Sequence, residues 1–154
     1  GGNLSAVVTA SMHVDINPVA ATTGDDRLLY DGSALNGLAG VDTIEFRLGE
    51  NLDFSASPVK PTNIERFDLM PAGQNHSLGH LSVQDVLDMT GSGKSLTILG
   101  DSGDSVSLKS TVGGTWSAGG SQTVDGHSFD IYLNTQDSSV RVLIEQQINK
   151  SIDP

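Results

Sequence analysis

Apolar and polar residues alternate in many short runs along this chain. The longest run extends from Leu4 to Ile16, where every second residue is apolar. Shorter alternating runs follow at 43–47, 63–70, 95–99, 105–109 and 127–133, with glycine, asparagine, proline or aspartate between them. Alternation with a period of two places one face of a strand against a core. The pattern therefore predicts an all-β domain, built either as a sandwich or as a roll-like arrangement of strands.

One helix interrupts the predicted strands. Ser82 stands three residues before Asp85, which is the spacing of a serine cap with an acidic partner at the start of a helix. Val86 and Met89 follow at a spacing that places them on one helical face. Gly91 then ends the pattern. We therefore expect a single short helix near residues 82–90.

The 154 residues fit one compact domain, within which two parts are predicted. Pro18 ends the first alternating run, because proline cannot donate a hydrogen bond to a sheet. Residues 1–19 are thus predicted to form a strand and a linker, and residues 20–154 a compact β-rich unit with a core of its own. Residues 146–154 lack a clear alternation and are predicted to form an exit segment.

The charge of the chain excludes one class of partner. Aspartate and glutamate number 19 against 8 lysines and arginines, which gives a formal net charge of −11. Without a basic patch the chain cannot neutralise phosphates, so we predict no nucleic-acid partner. No apolar stretch approaches the ~20 residues of a membrane-spanning helix, so no membrane insertion is predicted. Cysteine is absent, which is compatible with the cytosol and also with secreted bacterial proteins that use metal ions rather than disulfides for stability.

A pair of glycine–aspartate turns suggests which metal this is. The first contains Asp25 and Asp26 after Gly24, and the second runs from Gly37 to Asp42 before an apolar run. Both resemble degenerate halves of the repeat G-G-x-G-x-D-x-U-x, whose successive turns bind calcium. Glycine permits the tight turn that lets carbonyl and carboxylate oxygens converge on a hard cation. Asp25, Asp26 and Asp42 are therefore predicted calcium ligands.

A second candidate calcium turn follows later in the chain. It runs from Gly100 to Asp104 and offers the carboxylates of Asp101 and Asp104. For both turns an alternative stays open, because aspartate also forms turns by hydrogen bonding to its own backbone.

Catalytic arrangements are not evident, so we do not predict an enzyme. His76 and His80 have a zinc-like spacing, but Gly79 disfavours a helix there and no third ligand is evident, so both are predicted to be exposed. Ser128 follows His127 directly, and neighbours in a strand point to opposite faces. They cannot act together as nucleophile and base.

Few aromatic residues could stack on a sugar. Trp116, Tyr30 and Tyr132 would form such a platform if they were exposed. Isolated aromatic residues of this kind are more often part of the core, and we predict a core position for Trp116.

Several longer motifs occur in one order along residues 24–145. After the glycine–aspartate turns come Asn63-Ile64-Glu65-Arg66-Phe67-Asp68-Leu69, then residues 81–89 (LSVQDVLDM), then residues 96–106 (LTILGDSGDSV). In this order they resemble a module near the C-terminal end of giant RTX adhesins, which Gram-negative bacteria export by type I secretion. Residues 14–19 resemble the end of an immunoglobulin-like extender repeat of such adhesins.

This resemblance implies an extracellular protein at the bacterial cell surface. It implies a non-catalytic structural module, stabilised by calcium, that supports cell adhesion or biofilm formation, with neighbouring domains of the same adhesin as its partners. The alternative is a module that binds carbohydrate or peptide on a cell surface through calcium or an aromatic platform.

Overall fold

The computed structural model describes residues 20–154, and the strand and linker predicted for residues 1–19 lie outside this part. The described chain forms one sheet of seven strands and one of four, so the prediction of an all-β fold is confirmed. The elements are β1 Arg27–Leu29, β2 Thr43–Glu45, β3 Asn51–Asp53, β4 Arg66–Asp68, β5 Ser77–Ser82, α1 Val83–Thr90, β6 Ser95–Leu99, β7 Ser105–Lys109, β8 Trp116–Val124, β9 His127–Asn134, β10 Arg141–Glu145 and β11 Asn149–Asp153.

The chain alternates between the two sheets as it advances. Strands β2, β4, β6 and β10 lie side by side in the larger sheet, and each is followed by a strand of the smaller sheet, which has the order β3-β5-β7-β11. All pairings among these strands are parallel. Each coil therefore adds one rung to both sheets, and the described chain is a roll rather than a sandwich of hairpins.

The core lies between the two sheets, where apolar residues stack in register from coil to coil. In the larger sheet Ile44 pairs with Phe67 and Phe67 with Ile98, and all three are fully buried. In the smaller sheet Leu52 and Leu78 form the facing row, continued by Val106. This stacking explains why each short strand needs only one or two apolar residues.

The helix α1 confirms the prediction for residues 82–90. The Ser82 hydroxyl accepts the backbone N–H of Asp85 at 3.1 Å, and the Asp85 carboxylate accepts the N–H of Ser82 at 3.0 Å. This reciprocal pair satisfies two N–H groups that a helix start leaves without partners. Val86 and Met89 pack into the core, and the helix closes one side of the roll.

An antiparallel hairpin, β8–β9, is inserted between β7 and β10 and extends the larger sheet. Its turn consists of Asp125 and Gly126, which both have a positive φ, as a two-residue hairpin turn requires. Gly119 and Gly120 lie within β8, where the pairing register shifts. A Cβ at Gly119 would come within 2.7 Å of the Leu133 side chain, so a larger residue there would require that side chain to move.

The exit segment predicted for residues 146–154 is wrong, because β11 pairs in parallel with β7 there. The apolar signal is missing because Lys150 stands beside Val106 in the register. Its ammonium group lies 3.2 Å from the Asp130 carboxylate and donates to the carbonyls of residues 145, 146 and 148. Lys150 thus takes the place of an apolar residue in the last strand of the smaller sheet.

No helix within residues 20–154 is long and apolar enough to cross a membrane.

Candidate functional site

Acidic residues stand at the same place in three successive coils of the larger sheet. Asp26, Asp42 and Glu65 come directly before β1, β2 and β4. Because these strands pair in parallel and in register, the three residues are neighbours at one edge of the sheet. We call Asp25, Asp26, Asp42 and Glu65 the acidic turn cluster.

Carboxylates of this cluster fasten each coil to the one before it. The N–H of Asp26 donates to Asp42 Oδ1 at 2.8 Å, and the N–H of Asp42 donates to Glu65 Oε2 at 2.9 Å. Asp25 Oδ1 accepts the N–H of Val41 at 2.8 Å. Hydrogen bonds from N–H groups to carboxylates are stronger than those between neutral groups. The predicted residues Asp25, Asp26 and Asp42 therefore come together.

Glu65 was not among the predicted ligands. Its signal in the sequence is its place, since it stands one residue before a strand, as Asp42 does. A search for an acidic residue before each strand would have found it, whereas a search for glycine–aspartate turns does not.

One oxygen of the cluster has no partner. Asp42 is fully buried, and its Oδ2 makes no hydrogen bond within the described residues. Burial raises the pKa of Asp42 above its usual value, and the charges of Asp26 and Asp25 raise it further. Burial also raises the pKa of Glu65, with a further contribution from Asp42. The folded state therefore disfavours the ionised forms of Asp42 and Glu65. Lowering the pH through their raised pKa values protonates both groups and so stabilises the folded state.

Gly37 lies against the unpartnered oxygen. A Cβ at Gly37 would be 2.5 Å from Asp42 Oδ2 and 2.2 Å from the Asn63 carbonyl oxygen. Both distances are shorter than any van der Waals contact, so only glycine fits. The turn thus packs Gly37 against a carboxylate oxygen and a backbone carbonyl oxygen, which are both of the ligand type that calcium takes.

Asp101 and Asp104 form a separate arrangement. Asp104 is fully buried directly before β7, while the acidic turn cluster precedes strands of the other sheet. Asp104 Oδ1 accepts the N–H of His76 at 2.9 Å, and Oδ2 accepts the N–H of Asp101 at 2.8 Å. Burial raises the pKa of Asp104 above its usual value. The two groups of predicted ligands therefore lie at different edges of the roll.

The prediction that both His76 and His80 are exposed is wrong for His76. Its imidazole is fully buried, with Nδ1 2.9 Å from the Leu69 carbonyl oxygen, while Nε2 accepts the N–H of Gly49 at 3.2 Å. In this arrangement Nδ1 donates and Nε2 accepts. His80 is partly exposed, and its Nδ1 lies 2.9 Å from Asp53. The two histidines do not share a site.

No preformed metal centre is present within residues 20–154, since no three histidine, aspartate or glutamate side chains are grouped to hold an ion. The donor set at Asp42 fits calcium only in part. Asp42 Oδ2 and the nearby Asn63 carbonyl are available, while the other carboxylates of the cluster hold backbone N–H groups. The remaining ligands would be carbonyl oxygens and water, which calcium accepts.

Trp116 belongs to the core, as predicted. Its side chain is buried, and its indole N–H donates to the Leu81 carbonyl at 3.2 Å. Tyr30 and Tyr132 pack against the same core. Trp116 is therefore not available for stacking on a sugar.

Comparisons with known proteins give no identity for the chain. No protein-family model matches it, and neither a curated protein nor a solved structure is found to be similar. The functional interpretation accordingly depends on the geometry described above and on the motifs of the sequence.

Proposed function

We propose that this chain is a non-catalytic structural module of a large secreted bacterial surface adhesin that supports cell adhesion or biofilm formation. The observation that favours this role most is the parallel roll, in which polar residues before the strands fasten one coil to the next. Asp42 and Asp104 hold backbone N–H groups of neighbouring coils. Side chains used in this way support the fold rather than chemistry on a substrate. The partners in this proposal are the neighbouring domains of the same adhesin.

The surface location can be tested on intact cells of the source organism. Antibodies against residues 20–154 are expected to label cells whose envelope has not been permeabilised, and external protease is expected to remove the label. Antibodies against a cytoplasmic protein serve as the control. Labelling that requires permeabilisation would contradict an adhesin at the cell surface.

Calcium is proposed to bind at the acidic turn cluster. Three observations support this position: the unpartnered Asp42 Oδ2, the adjacent Asn63 carbonyl, and four carboxylates whose mutual repulsion a cation would relieve. The formal charge of −11 favours cation binding as well. Because the folded turn is needed to gather these oxygens, binding would add to the free energy of unfolding.

Thermal unfolding with calcium and with chelator measures this contribution. At calcium concentrations ~100 times the dissociation constant, we expect stabilisation of about 2.7 kcal/mol and a rise in Tm of about 8 °C. Asp42→Asn is expected to remove the rise, because the amide replaces the free carboxylate oxygen. In chelator, this variant should be at least as stable as the wild type, because it no longer buries a carboxyl group whose ionised form the fold disfavours.

Asp125→Asn is the matched control. It removes the same charge from the exposed turn of the hairpin, and asparagine tolerates the positive φ there. It should leave the response to calcium intact. An equal Tm in calcium and in chelator for the wild type would refute the calcium site and leave the aspartates as turn formers.

The alternative, a module that binds carbohydrate or peptide, has less support. The buried position of Trp116 removes the strongest residue of the aromatic platform. Binding of carbohydrate or peptide through calcium would use the acidic turn cluster, and the thermal unfolding experiment described above tests that metal site as well.

A further inference from the structure

A pocket lies on the outer face of the larger sheet, below the turn of the β8–β9 hairpin. It has a volume of about 200 Å³ and is formed by residues of β4, β6, β8, β9 and β10 together with that turn. We call it the hairpin pocket. Its lining contains none of the residues of the acidic turn cluster, so a ligand could bind there whether or not the proposed function is correct.

Apolar side chains form much of its lining. Phe129 and Leu143 are buried, and Leu99 is half-buried beside them. These residues lie on the sheet face that points away from the core, which is a face that most sheets cover with polar residues. The hairpin therefore adds a small apolar site to the outside of the roll.

Arg66 gives this pocket a positive charge. In the register Arg66, Thr97 and Leu143 form one row across β4, β6 and β10. Arg66 is half-buried, yet no carboxylate within residues 20–154 lies at salt-bridge distance from its guanidinium group. By contrast, Arg27 pairs with Glu45 and Asp68 on the same face.

Such an arginine is unusual in a chain of net charge −11. A guanidinium group that is removed from water is normally paired, because an unpaired buried charge is costly. Carboxylates are abundant in residues 20–154, and none of them pairs with the Arg66 side chain there. An anion from outside would complete the site.

His127 and Asp125 line the pocket together with Arg66. His127 Nδ1 lies 2.8 Å from Glu145 Oε2, which fixes the ring and leaves Nε2 without a partner within the described residues. Asp125 is the one carboxylate that lines the pocket, and it lies exposed in the hairpin turn, where water screens it.

We propose that the hairpin pocket binds a carboxylate attached to a small apolar group, with Arg66 pairing with the carboxylate and Leu99, Phe129 and Leu143 contacting the apolar body. The fork of an arginine matches the two oxygens of a carboxylate. A cavity of about 150 Å³ accommodates a benzene ring. The size of the hairpin pocket therefore suits one ring or branched aliphatic group together with its carboxylate.

Titration of the full 154-residue chain with phenylacetate tests this proposal, and phenylacetamide serves as the uncharged probe of equal shape. Calorimetry in chelator gives the affinity independently of any calcium site. Proton NMR signals of the His127 ring are expected to shift with phenylacetate and to report its position. Arg66→Gln should weaken phenylacetate binding about tenfold or more and leave phenylacetamide binding unchanged.

Arg141→Gln is the matched control, because Arg141 is an exposed arginine of the same sheet outside the pocket. It should change the affinity for phenylacetate less than about twofold. Circular dichroism shows whether each variant is folded, and Arg66→Lys, which keeps the charge, should retain part of the affinity. Equal binding of acid and amide, equal effects of the two glutamine variants, or no binding of phenylacetate would overturn the proposal.

The carboxylate could be a free acid or the end of a peptide, and N-acetylphenylalanine with its amide distinguishes these sources. Binding of N-acetylphenylalanine as tight as that of phenylacetate would indicate a peptide end. Binding of phenylacetate alone would indicate a free acid. Both results support a carboxylate site at Arg66, provided that each acid binds more tightly than its amide.

Discussion

Phe67→Ala is expected to lower the free energy of unfolding by about 4 kcal/mol, the largest effect of a single substitution that we predict. Phe67 is fully buried at the centre of the stacked rows. Its ring meets Phe46 and Phe54 edge-on, with centroids 6.0 and 6.3 Å apart. The substitution removes both aromatic contacts and leaves a cavity between the two sheets that neighbouring coils cannot fill.

Urea-induced unfolding followed by the fluorescence of Trp116 measures this loss, since Trp116 is buried in the same core and is the one tryptophan of the chain. Leu48→Ala is the control, because the Leu48 side chain is 82% exposed and its loss should change stability by less than about 0.5 kcal/mol. A loss below about 1 kcal/mol at Phe67 would show that the rows are not packed as one core.

Local signals in the sequence predicted most of the elements. The alternation around Ile44, Phe67 and Ile98 was correctly assigned to strands, and the Ser82–Asp85 spacing correctly located α1. Both signals depend on residues close together in the chain. The same alternation fits hairpins and parallel coils equally well, so it could not decide between a sandwich and a roll.

The coil pattern depends on pairing between residues far apart in the chain. Thr43, Arg66 and Thr97 are neighbours in the sheet at unequal spacings, because α1 lies between the later two. No regular repeat is therefore visible in the sequence. The strand β11 was not predicted for a related reason, since Lys150 takes the place of an apolar residue there. Its charge is balanced by Asp130 and by backbone carbonyl oxygens, which only the folded chain brings close to it.

Candidate ligands were predicted in part. The glycine–aspartate spacing found Asp26 and Asp42, whose proximity is confirmed by the hydrogen bond between them. The sequence could not predict that most of these oxygens accept N–H groups of the neighbouring coil, because that depends on the register. Arg66 gave no signal at all, since the absence of a counter-charge is visible only in the folded chain.

Asp104→Ala is expected to lower the free energy of unfolding by about 3 kcal/mol, because it leaves one buried and one part-buried N–H group without acceptors. These are the N–H groups of His76 and Asp101, which Asp104 Oδ1 and Oδ2 accept. Loss of a carboxyl group whose pKa is raised by burial offsets a small part of the cost. Asp104→Asn should cost less, because the amide keeps one acceptor but places an NH₂ group against the other N–H.

The Asp104 variants also decide whether calcium binds at this second turn. In chelator, Asp101→Ala is the reference for the loss of a single hydrogen bond, from the N–H of Gly103 at 2.9 Å, and should cost about 1 kcal/mol. If Asp104 acts only through the backbone, its penalty in urea unfolding is the same in calcium and in chelator. A larger penalty in calcium would assign Asp104 as a ligand, since the variant then loses binding energy as well as hydrogen bonds. A penalty below about 1 kcal/mol in both conditions would mean that water replaces the carboxylate, which its complete burial argues against.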